Sequence, residues 1–276
     1  MAGWPIFSPV ALPVRSRNNA VKTTNVPGRW SVYASVLAIA LLTCIPAWAA
    51  DSPCPPVPVP RLSLPATSAA LAAGRPIGIV ALGSSSTAGV GASAPNKSYP
   101  SLLQAALRAA WPGHEIKVFN QGLGGEEVDG MVARLDRDVI ATHPVLVIWQ
   151  SGTNAALRHM DPDVFDATLD AGLTKLTSTG ADVVLMDNQL SPKIDAAPDH
   201  EAYGAAIARD AAKHHDSLFS RAELMREWQA GGANDLIGPD GVHHSDRGYA
   251  CVASVLAQAI IEAVKTPVKL ATGTKP

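Results

Sequence analysis

The chain has 276 residues, of which 47% are hydrophobic and 17% charged, and its formal net charge is -2 at pH 7. This composition supplies apolar material for one sizeable core, because a second full domain would leave both halves small. The near-neutral charge, without a block of Lys or Arg, excludes a basic surface for binding nucleic acid, so no nucleic-acid partner is expected.

The N-terminal segment has the pattern of a secretory signal peptide. Four basic residues between positions 15 and 29 precede an uncharged apolar run at 32–45, and the small-residue pattern Ala47-Trp48-Ala49 follows. We therefore expect residues 1–50 to be a signal peptide cleaved near Ala49 or Ala50, and the mature protein to be secreted or periplasmic.

Two alternatives concern the membrane. An uncleaved anchor is disfavoured because the apolar run is about 14 residues long, below the roughly 20 that cross a bilayer. A lipoprotein site at Cys44 is weaker still, because Thr43 is bulky where such cleavage sites have Gly, Ala or Ser. No stable membrane anchor is expected.

The segment after the signal is rich in Pro, Ala and Ser and lacks a sustained period. It is predicted to be a linker or surface lead over 51–74, followed by one folded domain at 75–266 and a flexible tail at 267–276. Signal cleavage would leave Cys54 and Cys251 as the two thiols of an exported protein. Cys251 falls on the polar side of the helix predicted at 249–265, outside the core, so we expect a Cys54–Cys251 disulfide. Two independent free thiols are the alternative.

From residue 76 onward, short apolar runs alternate with amphipathic stretches. The runs are predicted strands because they are rich in Val and Ile without polar alternation, as in strands covered on both faces. The stretches are predicted helices because apolar residues recur at steps of three and four; Asp161-Pro162 starts one of them. The successive pairs are 77–82 with 99–111, 116–119 with 126–142, 145–149 with 162–179, and 183–186 with 202–214.

Repeated strand-then-helix units indicate a parallel α/β sheet. We therefore expect a three-layer α/β/α sandwich around a parallel, flavodoxin-like sheet of about five strands. In such a sheet the carboxyl ends of the strands open toward one crevice, where function gathers. The segments that fall there are GSSST (83–87), NQGLGGE (120–126), QSGTN (150–154) and, before the last helix, DGVHHSDRGY (240–249).

Together these four segments contain the groups that acyl transfer needs. A serine hydroxyl becomes a nucleophile when an imidazole takes its proton, and the imidazole needs an acceptor on its other nitrogen. Asp240 and His243 are three residues apart, so one turn can bring their side chains together. A glycine N–H and an Asn amide can donate to the oxyanion that forms on attack.

The four segments in order resemble blocks I, II, III and V of the SGNH, or GDSL-type, serine hydrolases. The resemblance places the nucleophile on Ser85, the acid and base on Asp240 and His243, and the oxyanion hole on the N–H groups of Ser85 and Gly125 with the amide of Asn154. It implies an esterase that needs no cofactor, and it covers most of the chain from about residue 77 to 263.

The sequence departs from the family's name in the first block, where Ser84 stands in place of Asp and Ser86 in place of Leu. The Asp is not one of the four residues that carry the family's chemistry, so the reaction is unaffected and only the support around the loop changes. Ser84, Ser86 and Thr87 are interpreted as caps of the turn or helix that follows.

Further polar or aromatic residues lie on the same rim of the predicted sheet. Trp149 and Gln150 end the third strand, while Asn188 and Gln189 follow the fourth, and all four are candidate substrate-binding residues; an Asx-type turn is the alternative at 188–189. His244 is interpreted as a surface or substrate-edge residue.

Other polar groups are assigned no chemistry. His214-His215 closes a helix whose C-terminal dipole favours a cation. Arg158-His159 is interpreted as a solvated face. No metal is predicted, because the chain has no HExxH motif and no ligand cluster at metal spacing.

These observations favour a secreted serine esterase acting on carboxylic esters with short acyl groups, such as O-acetyl groups on carbohydrate, so the expected partner is a small ester or an acylated glycan. A lysophospholipase or thioesterase of the same family is the alternative, as is a glycan-binding relative without catalysis. A nucleotide-binding fold using GSSSTAGVG as its phosphate loop is disfavoured. The chain has neither GxGxxG nor GxxxxGK[ST], and Asn120, not an acid, ends the second strand.

Overall fold

A computed structural model describes residues 54–265 of the chain. The predicted signal peptide and the predicted tail therefore lie outside the described residues. The strands are β1 (Ile77–Gly83), β2 (Ile116–Gly122), β3 (Leu146–Gln150), β4 (Asp182–Met186) and β5 (Ser217–Phe219). The helices are α1 (Pro65–Ala72), α2 (Ser85–Ala88), α3 (Tyr99–Ala110), α4 (Val128–Ala133), α5 (Leu135–Asp138), α6 (Thr153–Arg158), α7 (Pro162–Thr177), α8 (Pro192–Asp195), α9 (His200–His214), α10 (Arg221–Ala230) and α11 (Asp246–Lys265). Short 3₁₀ turns lie at Pro95–Lys97 and Ile140–Thr142.

The five strands form one parallel sheet in the order β2-β1-β3-β4-β5, which confirms the predicted flavodoxin-like arrangement. The order reverses beside β1, where the chain crosses from β2 on one side to β3 on the other. Because loops diverge at such a switch point, the carboxyl ends of β1 and β3 open a crevice between them.

Helices cover both faces of the sheet and produce three layers. Alternate strand residues point to opposite faces. Ile79 and Ile148 pack in a core shared with α1, α3, α10 and α11. Val80 and Trp149 pack in a second core shared with α4, α5, α7 and α9. Burial on both faces explains why the central strands lack polar alternation.

The helices follow the predicted periodicity with one interruption. Asp161 caps α7, accepting hydrogen bonds from the N–H groups of Asp163 and Val164. The helix predicted at 126–142 is instead divided into α4, α5 and a 3₁₀ turn. The chain leaves helical geometry at Arg134, where φ is -109° and ψ is 5°. The apolar stripe of that stretch is nevertheless buried, so the periodicity identified the face and not the break.

The short elements near the end of the sheet were not predicted. β5 has three residues, too few to show a strand pattern. α10 follows it directly, and the hydroxyl of Ser220 caps the helix by accepting from the N–H of Glu223.

The Pro-rich lead contributes a helix to the fold, so the folded domain begins before residue 75, the start that was predicted. Helix α1 lies within the segment predicted to be a linker, with Pro65 in its first turn. The carboxylate of Asp182, at the start of β4, accepts from the N–H of Ala66 at 3.0 Å and from both the N–H and hydroxyl of Thr67 at 2.7 Å each. These bonds hold α1 against the sheet.

The structure contains the disulfide predicted between Cys54 and Cys251, whose Cα atoms are 5.7 Å apart. The argument used to predict it was wrong about location, because Cys251 is fully buried in the core on one face of the sheet. Small neighbours such as Ala253 and Ala257 widen the buried stripe of α11 beyond the large apolar residues.

Helix α11 is long and apolar enough to cross a membrane by length and composition alone. In the fold, however, 61% of that stretch is buried among other elements. It packs mainly against α3 and α1, as the core helix of a globular domain does.

Candidate active site

Ser85 lies at the first position of α2, immediately after the end of β1. The turn is tight because Gly83 closely approaches its neighbours: a Cβ there would lie 2.2 Å from Thr87 Oγ1 and 2.8 Å from Gln150 Oε1. Ser85 is 8% exposed, which leaves its hydroxyl at the rim while Ser84 and Ser86 are covered.

The structure brings Ser85, His243 and Asp240 into one hydrogen-bonded chain. His243 Nε2 lies 2.7 Å from Ser85 Oγ. His243 Nδ1 lies 2.5 Å from Asp240 Oδ2. The imidazole therefore bridges a hydroxyl and a carboxylate that are 155 residues apart in sequence, and it can take a proton from one while the other fixes its orientation.

In the loop before α11, two backbone N–H groups bind the side chain of Asp240. Its Oδ1 accepts from the N–H of Val242 at 2.9 Å and from the N–H of His243 at 3.0 Å. Partial burial acts to raise the pKa of Asp240, but the hydrogen bonds from the His243 side chain and from these two N–H groups outweigh it and lower the pKa to about 2. Asp240 is thus a carboxylate at neutral pH.

Gly125 lies in the loop between β2 and α4, and Asn154 lies in the first turn of α6. Gly125 has φ +77°, a left-handed conformation that glycine adopts without strain. Asn154 Nδ2 donates to the backbone oxygen of Glu126 at 2.8 Å, which uses one amide hydrogen and leaves the other available. Within residues 54–265, the backbone N–H groups of Ser85 and Gly125 donate to no other group.

The serines and threonine around Ser85 do not act as the predicted helix caps, because no side-chain cap bond is present at α2. Two of them, Ser84 and Thr87, instead donate hydrogen bonds to Gln150. Its Oε1 accepts from the N–H and the hydroxyl of Ser84 and from the hydroxyl of Thr87, each at 3.1 Å. Gln189 Nε2 lies 3.4 Å from the hydroxyl of Ser86.

The four candidate substrate-binding residues are all buried, which corrects their interpretation as lining residues. Trp149 is fully covered and donates to the sulfur of Met131. Gln150 is fully covered below the turn that carries Ser85. Asn188 is 4% exposed beside Gly152, and Gln189 donates to the backbone oxygen of Val242. Gln150 and Gln189 therefore tie loops together from below the site.

His244 is also buried, contrary to the expectation of a surface residue. Its Nδ1 lies 3.3 Å from the backbone oxygen of Leu236, and its ring packs edge-on against Tyr249. Burial, reinforced by the positive charge of Arg221, lowers the pKa of His244 to about 3, so this ring is neutral at physiological pH.

Arg158 is exposed as predicted but is not merely solvated. Its Nη1 pairs with Glu127 at 2.7 Å, and its Nη2 lies 3.2 Å from where a Cβ on Gly125 would be. His159 ends α6 in the left-handed conformation. At the end of α9, His214 Nε2 lies 2.6 Å from Asp170.

Sequence reasoning missed the buried ion pair between Arg134 and Glu126, behind Gly125. Within the described range 54–265, no group of three or more His, Cys, Asp and Glu side chains is placed to hold a metal ion.

Comparison with curated proteins identifies two esterases that are similar to part of this chain. An arylesterase of Vibrio mimicus is 32% identical over 96 residues, or 35% of this chain and 47% of the relative. Esterase TesA of Pseudomonas aeruginosa is 29% identical over 149 residues, or 54% of this chain and 70% of TesA. The chain thus matches about half the length of the arylesterase.

Solved structures show the same fold. A structure of TesA superposes with a TM-score of 0.57 at 26% identity, covering 66% of this chain and 97% of TesA. A two-domain esterase, CEX, active on acetylated mannans superposes with a TM-score of 0.61 at 26% identity, covering 75% of this chain and 54% of CEX.

The sequence profile of the non-GDSL lipase-like family matches residues 53–266, which is most of the chain and includes all four segments. The chain therefore belongs to the non-GDSL lipase-like family, within the SGNH/GDSL-type serine hydrolases.

Proposed function

We propose that this protein is a secreted serine esterase that forms an acyl-enzyme on Ser85. The observation that carries the proposal is the continuous hydrogen-bonded chain from Ser85 through His243 to Asp240. A serine hydroxyl is activated as a nucleophile when an imidazole accepts its proton and a carboxylate is hydrogen-bonded to the other ring nitrogen.

The reaction begins when Ser85 Oγ attacks the ester carbonyl carbon while His243 Nε2 takes the hydroxyl proton. The resulting imidazolium is stabilised by the Asp240 carboxylate. Collapse of the tetrahedral intermediate breaks the bond to the alcohol oxygen, which receives that proton from His243 and leaves. Water then attacks the acyl-enzyme by the same proton transfers and releases the carboxylic acid.

The negative oxygen of each tetrahedral intermediate requires donors that are already in place. The N–H of Ser85, the N–H of Gly125 and the remaining amide hydrogen of Asn154 are the proposed donors. Loss of one such donor typically lowers kcat by about 10²- to 10³-fold.

The proposed substrates are esters with short acyl groups, including O-acetyl groups on carbohydrate. Support comes from the similarity to CEX, which is active on acetylated mannans, and to an arylesterase. Secretion is proposed from the apolar run and small-residue pattern at 32–49. Lysophospholipase or thioesterase activity at the same site is the second candidate.

The test of the nucleophile is Ser85→Ala, with Ser86→Ala as the matched control one residue away. Hydrolysis of p-nitrophenyl acetate is expected to fall by at least about 10³-fold in Ser85→Ala and to persist in Ser86→Ala. Unchanged hydrolysis by Ser85→Ala would remove Ser85 from its role. No hydrolysis by the wild type would instead favour a glycan-binding relative without catalysis.

The acyl preference is tested with p-nitrophenyl esters of increasing chain length beside acetylated mannan and xylan. A maximum kcat/KM at acetate, with acetate released from the glycans, is expected. A maximum at long chains, or hydrolysis of acyl thioesters in preference to oxygen esters, would support the second candidate instead.

A further inference from the structure

The structure contains a buried guanidinium behind the proposed oxyanion hole that the mechanism above does not use. Arg134 is 6% exposed and sits at the junction of α4 and α5. Its Nε lies 2.9 Å from each carboxylate oxygen of Glu126, and its Nη2 lies 2.6 Å from Glu126 Oε2. Such a forked pair fixes orientation as well as distance.

Glu126 is directly connected to both of the non-serine donors of the proposed hole. Gly125 precedes it in the chain, so the peptide of the proposed donor N–H is one residue from the clamped side chain. The backbone oxygen of Glu126 accepts from Asn154 Nδ2 at 2.8 Å, which orients the amide. A shift of Glu126 would therefore move Gly125 and Asn154 together.

The same guanidinium also contacts the ends of two strands. Arg134 Nη2 donates to the backbone oxygen of Gln121 at 2.7 Å, in β2, and lies 3.4 Å from the backbone oxygen of Gly83, which ends β1. Gly83 is two residues before Ser85 and also accepts from the N–H of Leu123 at 3.0 Å. The guanidinium thus spans the nucleophile loop and the loop of Gly125.

One contact of Arg134 lies away from the proposed oxyanion hole, so its removal serves as a control. Its Nη1 lies 3.1 Å from Asp138 Oδ2, one turn along the chain. Asp138 also pairs with the exposed Arg137 at 2.6 Å. This contact supports α5 and touches neither Gly125, Asn154 nor the segment of Ser85.

We propose that Arg134, acting through Glu126, is a positioning residue that holds the N–H of Gly125 and the amide of Asn154 in register with Ser85. The proposal rests on the proposed esterase function, in which those groups stabilise the oxyanion. An alternative is that the buried ion pair only stabilises the fold.

The two roles make different kinetic predictions. Donors that are displaced by a fraction of an ångström lose more of their interaction with the tetrahedral intermediate than with the planar ester, so kcat falls while KM changes little. A purely structural pair would lower thermal stability and leave kcat of the folded protein unchanged. Displacement costs less than removal of a donor, so about 10- to 100-fold in kcat is expected.

The variants are Arg134→Lys, which keeps the charge but loses the fork, Glu126→Ala and Glu126→Gln, with Asp138→Asn as the control. We expect kcat on p-nitrophenyl acetate to fall about 10- to 100-fold in Arg134→Lys and Glu126→Ala, with KM within about threefold. Glu126→Gln, which keeps an acceptor oxygen, is expected to recover part of the loss. Asp138→Asn is expected to stay within about twofold of wild-type kcat.

A trifluoromethyl ketone, which forms a tetrahedral adduct on serine, provides a second readout. Its affinity is expected to fall in parallel with kcat across the series. Wild-type kcat in folded Arg134→Lys and Glu126→Ala, with only a lower Tm, would overturn the proposal.

Amide hydrogen exchange of residues 122–127 separates this proposal from the esterase proposal. We expect faster exchange in Arg134→Lys and Glu126→Ala than in wild type or Asp138→Asn. Unchanged exchange in both would overturn the positioning role whatever the activity. Failure of Ser85→Ala to reduce hydrolysis would instead overturn the proposed function.

Discussion

The amide oxygen of Gln150 organises the turn that carries Ser85. It accepts three hydrogen bonds, from the N–H and hydroxyl of Ser84 and the hydroxyl of Thr87, in a fully buried position. Ser84 stands where the family's name has Asp. The turn is therefore held by an amide of the neighbouring strand β3 together with two hydroxyls, with no carboxylate at position 84.

Gln150→Met is expected to destabilise the protein by about 1–3 kcal/mol, because the N–H of Ser84 would remain buried without an acceptor. It is also expected to lower kcat, since Ser85 follows directly. Urea unfolding and hydrolysis of p-nitrophenyl acetate measure both effects. Ser84→Ala, which removes one hydroxyl donor and keeps the N–H of Ser84 bonded to Gln150, is the milder control. Equal effects of the two variants would contradict this account.

At the residue scale, the sequence identified the four segments and the tertiary structure showed which of their side chains meet. Asp240 and His243 were predictable as a pair because they are three residues apart in one loop. Trp149 and Gln150 were misassigned because position at a strand end does not say which face a side chain takes. Arg134 was missed because its partners come from β1, β2 and the loop of Glu126.

At the scale of elements, the lead before β1 is fastened at two points. The Asp182 carboxylate holds the start of α1, and the disulfide ties Cys54 to Cys251 in α11 across 197 residues. Apolar packing of Leu64 and Ala70 adds to both. Composition predicted a linker or surface lead because this segment shows neither a helical nor a strand period. The disulfide and the hydrogen bonds to Asp182 do not depend on such a period.

The double variant Cys54→Ser/Cys251→Ser is expected to lose about 2–5 kcal/mol of unfolding free energy, because the unfolded chain is no longer closed into a long loop. The Tm of the wild type is expected to fall similarly with reductant, and kcat at low temperature to be retained. Asp182→Asn, which weakens the other fastening, is the comparison. A reductant-insensitive Tm would contradict the stabilising role of the bond.

On the scale of the whole molecule, packing of α7 against α9 creates a charge cluster that tunes stability with pH. Asp210 is buried there, and one of its carboxylate oxygens has no partner in the described residues. Burial, aided by the negative charges of Asp166 and Asp170, raises the pKa of Asp210 to about 6. Hydrogen bonds from Lys213 and His214 lower the pKa of Asp170 instead.

Because the folded state binds the Asp210 proton more tightly than the unfolded state, stability decreases as pH rises from about 4 to 6. Asp210→Asn is therefore expected to be more stable than wild type at pH 7. The expected gain is about 1 kcal/mol, or roughly 2–4 °C in Tm, because the nearby cations Lys213 and His214 offset part of the cost of the buried carboxylate. The gain should vanish below about pH 4.

Asp170→Asn provides the opposite control. The folded state lowers the pKa of Asp170, so its contribution to stability is present at pH 7 and is lost as pH falls. This variant is therefore expected to be less stable than wild type at pH 7. Thermal melts from pH 4 to 8 test both, and a wild-type pH profile in Asp210→Asn would contradict the assignment.

The sequence by itself determined the parallel α/β class and the four chemical segments. Each is a local property, because helix and strand periods follow from backbone geometry and a motif lies within a few consecutive residues. The position of strand β5 was not predicted, because three residues are too few to show a strand period.

Only the tertiary structure decided how these pieces meet. Ser85 and His243 come together because β1 and the loop before α11 end at the same rim. The clamp of Arg134, the triple acceptor of Gln150 and the burial of Cys251 depend on which faces pack. Several of these contacts join residues more than 50 positions apart, and no local spacing encodes them.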